Sequence, residues 1–432
     1  MNVRQLSLIF PCFALLLPAA SGLLGGCGDS AATGGGSADG GGSSVPASCE
    51  GVDVSGCSVV LGPLDGDDTT QLQGALIEDV KSGDTLCLCP GTYDLNNEVQ
   101  VSTPELTIRG VGASRDDVVL DFAGQIGGDD GLTATTDGFT VENFSVKNSP
   151  GNGIVVTGAE NVTFRNLHVY WDAGSVETNG AYAVYPVQST NVLIEDCEIV
   201  GAADAGAYVG QSTNIIVRNN LVHGNVAGIE IENSTDAEVY GNEAYDNSAG
   251  ILVFALPNLD KKDSLRCDVH DNQIYDNNRE NFAAEGIVGA VPPGIGVLIV
   301  AAHETHLHAN DIHDNQTGGI VIVGHDTLGL LVDGFEQDPE TSPNSEGTYI
   351  YGNSFEHVGY DPSTPLDIIP MIEEVLWDGV ETSEGSANLC LSMSPPTFRN
   401  VNGIANLATP ANQSTDTTPF ECDLEPLAPI EL

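Results

Sequence analysis

The chain has 432 residues, including 51 Gly, with 6% aromatic and 17% charged residues, and its formal net charge is −50 at pH 7. So much glycine with so few aromatic and charged side chains disfavours a compact globule and suits a thin, turn-rich β-solenoid. The negative field repels polyanions unless a divalent cation intervenes, so nucleic acid is not an expected partner and a groove for bare pectate or alginate is disfavoured.

Residues 1–26 carry Arg4, an apolar stretch from Leu6 to Leu24, and then Leu24-Gly25-Gly26-Cys27. Such an export segment resembles a bacterial lipoprotein signal, with Cys27 as the acylated first residue of the mature chain. The expected location is the outer membrane, on its periplasmic or cell-surface face, with the lipid anchor as the only membrane contact. Residues 27–48, nearly all Gly, Ser, Ala and Asp, read as a flexible tether.

Residues 49–105 read as an N-terminal cap with the first coil. Thr69 to Lys81 spaces Leu72, Ala75, Leu76 and Val80 along one side of a helix, which would cover backbone groups left open at the solenoid's end. Thr85 to Cys89 reads as the first strand. In an exported chain, Cys49, Cys57, Cys87 and Cys89 can staple this end in a pairing the sequence leaves open, and Cys390 with Cys422 can clip the other.

Residues 106–392 repeat. Segments of the form apolar-x-apolar-x-x-Asn-x-apolar place Asn220, Asn242, Asn272, Asn310 and Asn353 at one position, spaced by 22 residues where no loop intervenes. A fixed period of this length signals stacked coils. The third residue of each segment would point inward: Ile108, Val141, Phe164, Ile194, Val217, Val239, Val269, Leu307 and Ile350. The asparagines then form a structural amide ladder, and Cys197, in the same column, a buried free thiol. A Gly-led second strand follows in each coil, and Gln188-Ser-Thr-Asn191, Gln211-Ser-Thr-Asn214 and Asn233-Ser-Thr-Asp236 mark a ladder of turns. The fold class is thus all-β: a single-stranded right-handed parallel β-helix of about ten coils, roughly 50 Å long at ~4.8 Å per coil. Insertions at 171–179, 255–266, 278–293, 324–347 and 359–386 would decorate the shaft, with a helix over 366–377 closing the far end and 393–432 as a C-terminal cap and tail.

The repeats at 192–214 (VLIEDCEIVGAADAGAYVGQSTN) and 215–254 (IIVRNNLVHGNVAGIEIENSTDAEVYGNEAYDNSAGILVF) resemble a bacterial family of exported right-handed β-helix repeat proteins, over about residues 70–432. More distantly they resemble pectate lyases, mannuronan epimerases and copper-accessory β-helix proteins. The resemblance implies the fold; the close family implies no established reaction, and no catalytic motif of the distant enzymes is visible to carry over.

Several outward positions carry chemistry. Arg109, Glu142, Arg165, Glu195 and Arg218 alternate in sign on adjacent coils and read as a charge ladder, worth a few tenths of a kcal/mol per pair, roughly. Asp268 and His270 on one coil, with His306 and His308 on the next, form a square whose ligand types suit zinc or copper, weighed against plain surface decoration. On the second strands, Tyr185, Tyr208 and Glu230 share a column beside Glu232, near Trp171, Gln188, Gln211 and Asn233. Flat aromatic faces with amide and carboxylate acceptors suit sugar binding. Glu230 and Glu232 are the only acid–base pair offered for glycoside hydrolysis, although carboxylates on one strand project in parallel. Lyase, epimerase and hydrolase activities all remain open. The triplets ending in Asn247, Asn277 and Asn315 read as turn formers in preference to Ca²⁺ ligands. The favoured expectation is a protein that binds, and in one version processes, a polysaccharide. The alternative is a structural, adhesive or copper-accessory β-helix.

Overall fold

The computed structural model describes residues 45–432, apart from 285, 333, 370, 382–387 and 393. The signal segment, Cys27 and most of the tether lie outside the described residues. Residues 45–432 form one compact unit.

Each coil contributes one strand to each of three parallel sheets. Thr213–Arg218 lies in the first sheet, Leu221–His223 in the second and Ala227–Glu232 in the third, before Thr235–Tyr240 returns to the first. Among the described residues the sheets hold 12, 10 and 11 strands respectively, and every strand except the outermost two of each sheet pairs with the coils before and after it. The chain is a right-handed parallel β-helix. It has more coils than the repeat count implied because Val59–Leu61 and Leu389–Leu391 join the first sheet without the Asn-bearing segment that made coils countable.

The inward column is realised in register. Val217 pairs with Ile194 and Val239, Val269 with Val239 and Leu307, and each of these side chains is buried. Asn242 shows how the bend beside it is held. Its Nδ2 donates to Val217 O at 2.9 Å and to Asn272 Oδ1 at 3.0 Å, while its backbone N–H donates to the same Asn272 oxygen at 3.0 Å. The residue before each ladder asparagine takes a left-handed conformation, as at Gly241 (φ 64°) and Asp271 (φ 52°), which Gly, Asn and Asp adopt most readily. A second ladder (Asn225, Asn247, Asn277 and Asn315) bonds identically at the other end of the short second-sheet strand. The turn expected at the triplets ending in Asn247, Asn277 and Asn315 forms on Asp246, Asp276 and Asp314, but the three asparagines enter the core instead of sharing in it. Their amide groups are buried and fully engaged with one another, whereas the preceding aspartates make the exposed turn.

The turn ladder between third and first sheets also forms. Ser189 N–H donates to Ser212 Oγ and Ser212 N–H to Ser234 Oγ, both at 3.0 Å. Disulfides join Cys49 to Cys89, Cys57 to Cys87 and Cys390 to Cys422, while Cys197 and Cys267 are buried free thiols. The first helical stretch runs Thr69–Gly74 and continues through a wider turn, Ala75–Asp79, burying Leu72, Ala75 and Leu76.

The expected helix at 366–377 is absent. Leu366–Ile368 makes a single 3₁₀ turn, and Val375–Trp377 is a strand of the third sheet with Trp377 in the core. Val375, Leu376 and Trp377 form a short continuous apolar run buried on both faces, and pairing with Ile320–Ile322 overrides the helical pattern around it. Phe398–Asn400 extends the same sheet beyond it.

The insertions wall one outer face of the shaft. Leu256, Val288, Val291, Leu328, Ile369 and Ile372 belong to them, and these side chains pack with outward residues of the third sheet in a second apolar cluster.

Candidate functional site

The outer face of the third sheet changes character along the axis. Early coils present Tyr185, Tyr208, Glu230 and Glu232; later ones present Leu252, Phe254, Leu298, Val300 and Val321. Strand register sets Tyr208 beside Glu230, and Glu232 between Gly210 and Phe254.

The aromatic part is a three-ring cluster. Tyr182, Tyr185 and Tyr208 lie with centroids 4.5–5.0 Å apart, Tyr185 meeting Tyr208 edge-on. Tyr182 and Tyr185 are half-buried; Tyr208 is 6% exposed. Tyr208 donates to Glu232 Oε1 at 2.6 Å, and Tyr182 to Asp204 Oδ2 at 3.3 Å.

The acidic part is unusual in its setting. Among the described residues, no cation pairs with Asp204, Glu230 or Glu232, and Glu230 Oε2 is buried without any hydrogen-bond partner. Burial pushes the Glu230 carboxyl well above the carboxylate range, and repulsion from Asp204 and Glu232 adds to it. Burial raises Asp204 as well, reinforced by Glu232. Glu232 is raised by burial, against the stabilising hydrogen bond from Tyr208. All three shifts favour the protonated forms, so the cluster holds its protons to higher pH than isolated carboxyls do.

The other sugar-binding residues expected from the sequence are committed elsewhere. Trp171 is buried, with its indole N–H donated to Ser149 O at 2.7 Å, so it presents no open face. Asn233 is fully buried: its Nδ2 donates to Leu256 O and Lys261 O, and its Oδ1 accepts from Leu256 N–H. Gln211 Oε1 accepts from the backbone of Asp260, and exposed Gln188 reaches Asp260 Oδ2 at 3.4 Å. These amides pin the 255–266 insertion to the turn ladder. Asp204 and Tyr182 were missed by sequence reasoning because one sits in a turn and the other at a strand's first position. The signal for Asp204 was an acidic residue directly before the Ala205–Gly210 strand.

The charge ladder is complete and spent on itself. Glu195 takes Arg165 Nε and Arg218 Nη2, each at 2.5 Å, and Arg218 Nη1 donates to Tyr240 Oη at 3.0 Å. The histidine square has the expected register, Asp268 beside His306 and His270 beside His308, but it does not converge on a point. His270 and His308 stack face to face, 4.8 Å apart and 4° from parallel, so their in-plane nitrogen lone pairs run parallel. His270 is held by Asp271 and Glu238, and His308 contacts Asp268 at 3.1 Å. Among the described residues, no three metal-ligating side chains are grouped to hold a transition metal or Ca²⁺. The C-terminal residues Leu427, Ala428 and Ile430 also line a small cleft with Glu238 and Asp268, on the same face.

A family model described as "Right handed beta helix region" matches residues 152–335, within the shaft. No curated protein matches the chain. Among solved structures, the A-module of a mannuronan C-5 epimerase from Azotobacter vinelandii is similar at 15% identity and TM-score 0.49, covering 76% of this chain and 90% of that one. An alginate lyase from Paenibacillus sp. str. FPU-7 is similar at 16% identity and TM-score 0.48, with 70% and 98% covered. A pectate lyase is similar at 14% identity and TM-score 0.39, with 77% and 78% covered.

Proposed function

We propose that the protein binds a neutral or cation-bridged polysaccharide on the outer face of the third sheet, at the half-buried Tyr182 and Tyr185, which rest against buried Tyr208, and displays that face from a lipid anchor at Cys27. The observation that carries the reading is the placement of three tyrosine rings over three carboxyl groups with no cationic partner. Aromatic surface takes the apolar face of a pyranose ring, and a carboxyl accepts from sugar hydroxyls when ionised and can also donate when protonated. Similar solved structures are named for mannuronan epimerase, alginate lyase and pectate lyase activities. A bare polyuronate is disfavoured here by the −50 net charge, and Arg165 and Arg218 are both occupied by Glu195.

Binding is favoured over processing. Glu230 and Glu232 leave one strand on one face, whereas inverting hydrolysis needs an acid and a base flanking the bond, roughly 6.5–9.5 Å apart. If products form, Glu230 is the acid: burial holds its carboxyl well above the ordinary carboxylate range, and one oxygen is uncommitted. The test is a glycan array and product analysis with the full chain, Tyr185→Ala and Glu230→Gln. Retention of a neutral glycan by wild type and its loss in Tyr185→Ala supports binding; no retention by wild type sinks it. Retention with unchanged products removes processing alone. The anchor is tested separately by incorporation of labelled palmitate, which Cys27→Ser should abolish.

A further inference from the structure

The later coils of the same sheet face contain a cleft of about 350 Å³ unrelated in chemistry to the tyrosine cluster. Its floor is formed by outward residues of three successive strands, Leu298, Val321 and Leu376. Its walls are Val291, Leu328 and Ile404, from two insertions and the C-terminal segment. The volume lies near the lower end of the ~300–1,000 Å³ typical of small-molecule sites.

The lining dictates what can enter. Its polar side chains, Thr327 and Asp378, are already satisfied. Asp378 Oδ2 accepts from Thr327 Oγ1 and Gly324 N–H, both at 2.7 Å, and its Oδ1 accepts from Val380 N–H at 3.1 Å. A ligand carrying hydrogen-bonding groups into this space would strand them without partners, which is costly in an apolar setting. A saturated chain leaves nothing stranded. The mouth is apolar too: Leu330 and Ile368, both lining residues, are 69% and 48% exposed, leaving surface that an entering chain would cover. Among the described lining residues Asp378 alone is ionisable, and the chain as a whole is strongly acidic, so the described lining offers no cation to an anionic head.

We infer that this cleft binds the aliphatic chain of a single lipid molecule whose head group carries no negative charge. The occupant is one chain drawn into the cleft, not a bilayer surface, because the space is walled by insertions on both sides and holds only about 350 Å³.

The probe is radiolabelled monolaurin, measured by equilibrium dialysis against the full protein. Saturable binding of one monolaurin per chain is expected, weakened at least tenfold by Val321→Trp, which fills the floor. Since that variant can fail to fold, Leu330→Glu at the exposed mouth provides a second perturbation and should also weaken binding at least tenfold. Ile77→Ala, which trims an exposed apolar residue at the opposite end of the chain, should bind as wild type does. Absence of saturable binding, or equal binding by wild type and Leu330→Glu, overturns the inference. Laurate binding as tightly as monolaurin overturns the uncharged-head requirement. Flotation with phosphatidylcholine vesicles in the absence of monolaurin binding overturns the single-chain occupant in favour of membrane docking.

Discussion

Tyr208 reaches Glu232 Oε1, at 2.6 Å, by laying its ring along Gly210, the residue paired with Glu232 on the neighbouring coil. A Cβ on Gly210 would stand 2.4 Å from the Tyr208 hydroxyl oxygen and 2.5 Å from Cε1. Gly210 is thus required for space rather than for backbone conformation. Gly210→Ala should expel the ring and break the bond, costing about 1–3 kcal/mol for the buried groups left unpaired. Tyr208→Phe should keep the ring, lose only the hydrogen bond, and move the Glu232 titration upward, since that bond is what favours its ionised form. Carboxyl-carbon NMR of the two variants checks this. An unmoved Glu232 titration in Tyr208→Phe refutes the assigned role of the hydroxyl.

The acid cluster gives the stability a pH slope of definite sign. Asp204 is raised by burial to about 7 from 3.8, and Glu230 and Glu232 are raised in the same sense. The folded state therefore holds more protons than the unfolded state between the ordinary carboxylate range and neutrality. Under that inequality stability falls as pH rises. The cluster's contribution is complete below about pH 4 and is lost progressively as pH rises, for Glu232 up to about 6 and for Asp204 up to about 7, by a total on the order of a few kcal/mol. Glu230→Gln removes one of the coupled acids and should flatten the slope. Urea unfolding of wild type and variant at pH 5 and pH 7 measures it. Parallel slopes would mean that Glu230 is ionised at both pH values.

Much of the shaft was legible because stacking repeats one local rule. Counting from Asn242 correctly placed Val239 inward and aligned Tyr208 with Glu230 a coil away, since a parallel register keeps side-chain alternation in phase. The rule gave no information where the chain leaves the shaft. Asn233 and Gln211 looked like free amides because nothing periodic announces that residues 255–266 fold back onto them. Trp377 looked helical because Ile320–Ile322, its partners, lie more than fifty residues away. The second asparagine ladder was visible in the spacing of Asn247, Asn277 and Asn315, and was misassigned for a chemical reason. An Asp-Asn pair is a good turn former, and only the three-dimensional path shows that the aspartate turns while the asparagine enters the core.

That ladder logic predicts an asymmetric cost for its central members. Asn272 Oδ1 accepts from both the backbone and side chain of Asn242, and its Nδ2 donates to Val239 O and Asn310 Oδ1. Asn272→Ala strands the Asn242 N–H and the Val239 carbonyl in a dry interior. At ~1–3 kcal/mol per orphaned buried group, a loss of roughly 2–5 kcal/mol is expected. Asn353→Ala removes the matching bonds to the Asn310 N–H and the Leu307 carbonyl, but at a partly exposed position that water can reach, and should cost less. Denaturant midpoints of the two variants decide the matter. Equal losses would mean that water does not replace the lost partners at the ladder's end.

The Cys390–Cys422 bond ties the C-terminal segment to the last strand of the first sheet, beside the hydrogen bond from Cys422 N–H to Leu391 O at 3.0 Å. Beyond it the tail turns back over the sheet, where Asp423 accepts from Tyr349 Oη at 2.8 Å and Ile430 N–H approaches Glu238 Oε2 at 3.5 Å. The cross-link and these contacts confine the tail together. A closed loop with a sequence separation of 32 corresponds to a chain-entropy effect of about 3–4 kcal/mol. Replacing both cysteines by alanine should lower stability by up to that amount and release the tail from the histidine-bearing face. Amide exchange at Leu391 and Ile430 should then rise together, while exchange at Val239, deep in the shaft, should rise only as global stability falls. If Ile430 stays protected in the double variant, the tail is held by its own contacts and the disulfide is not its tether.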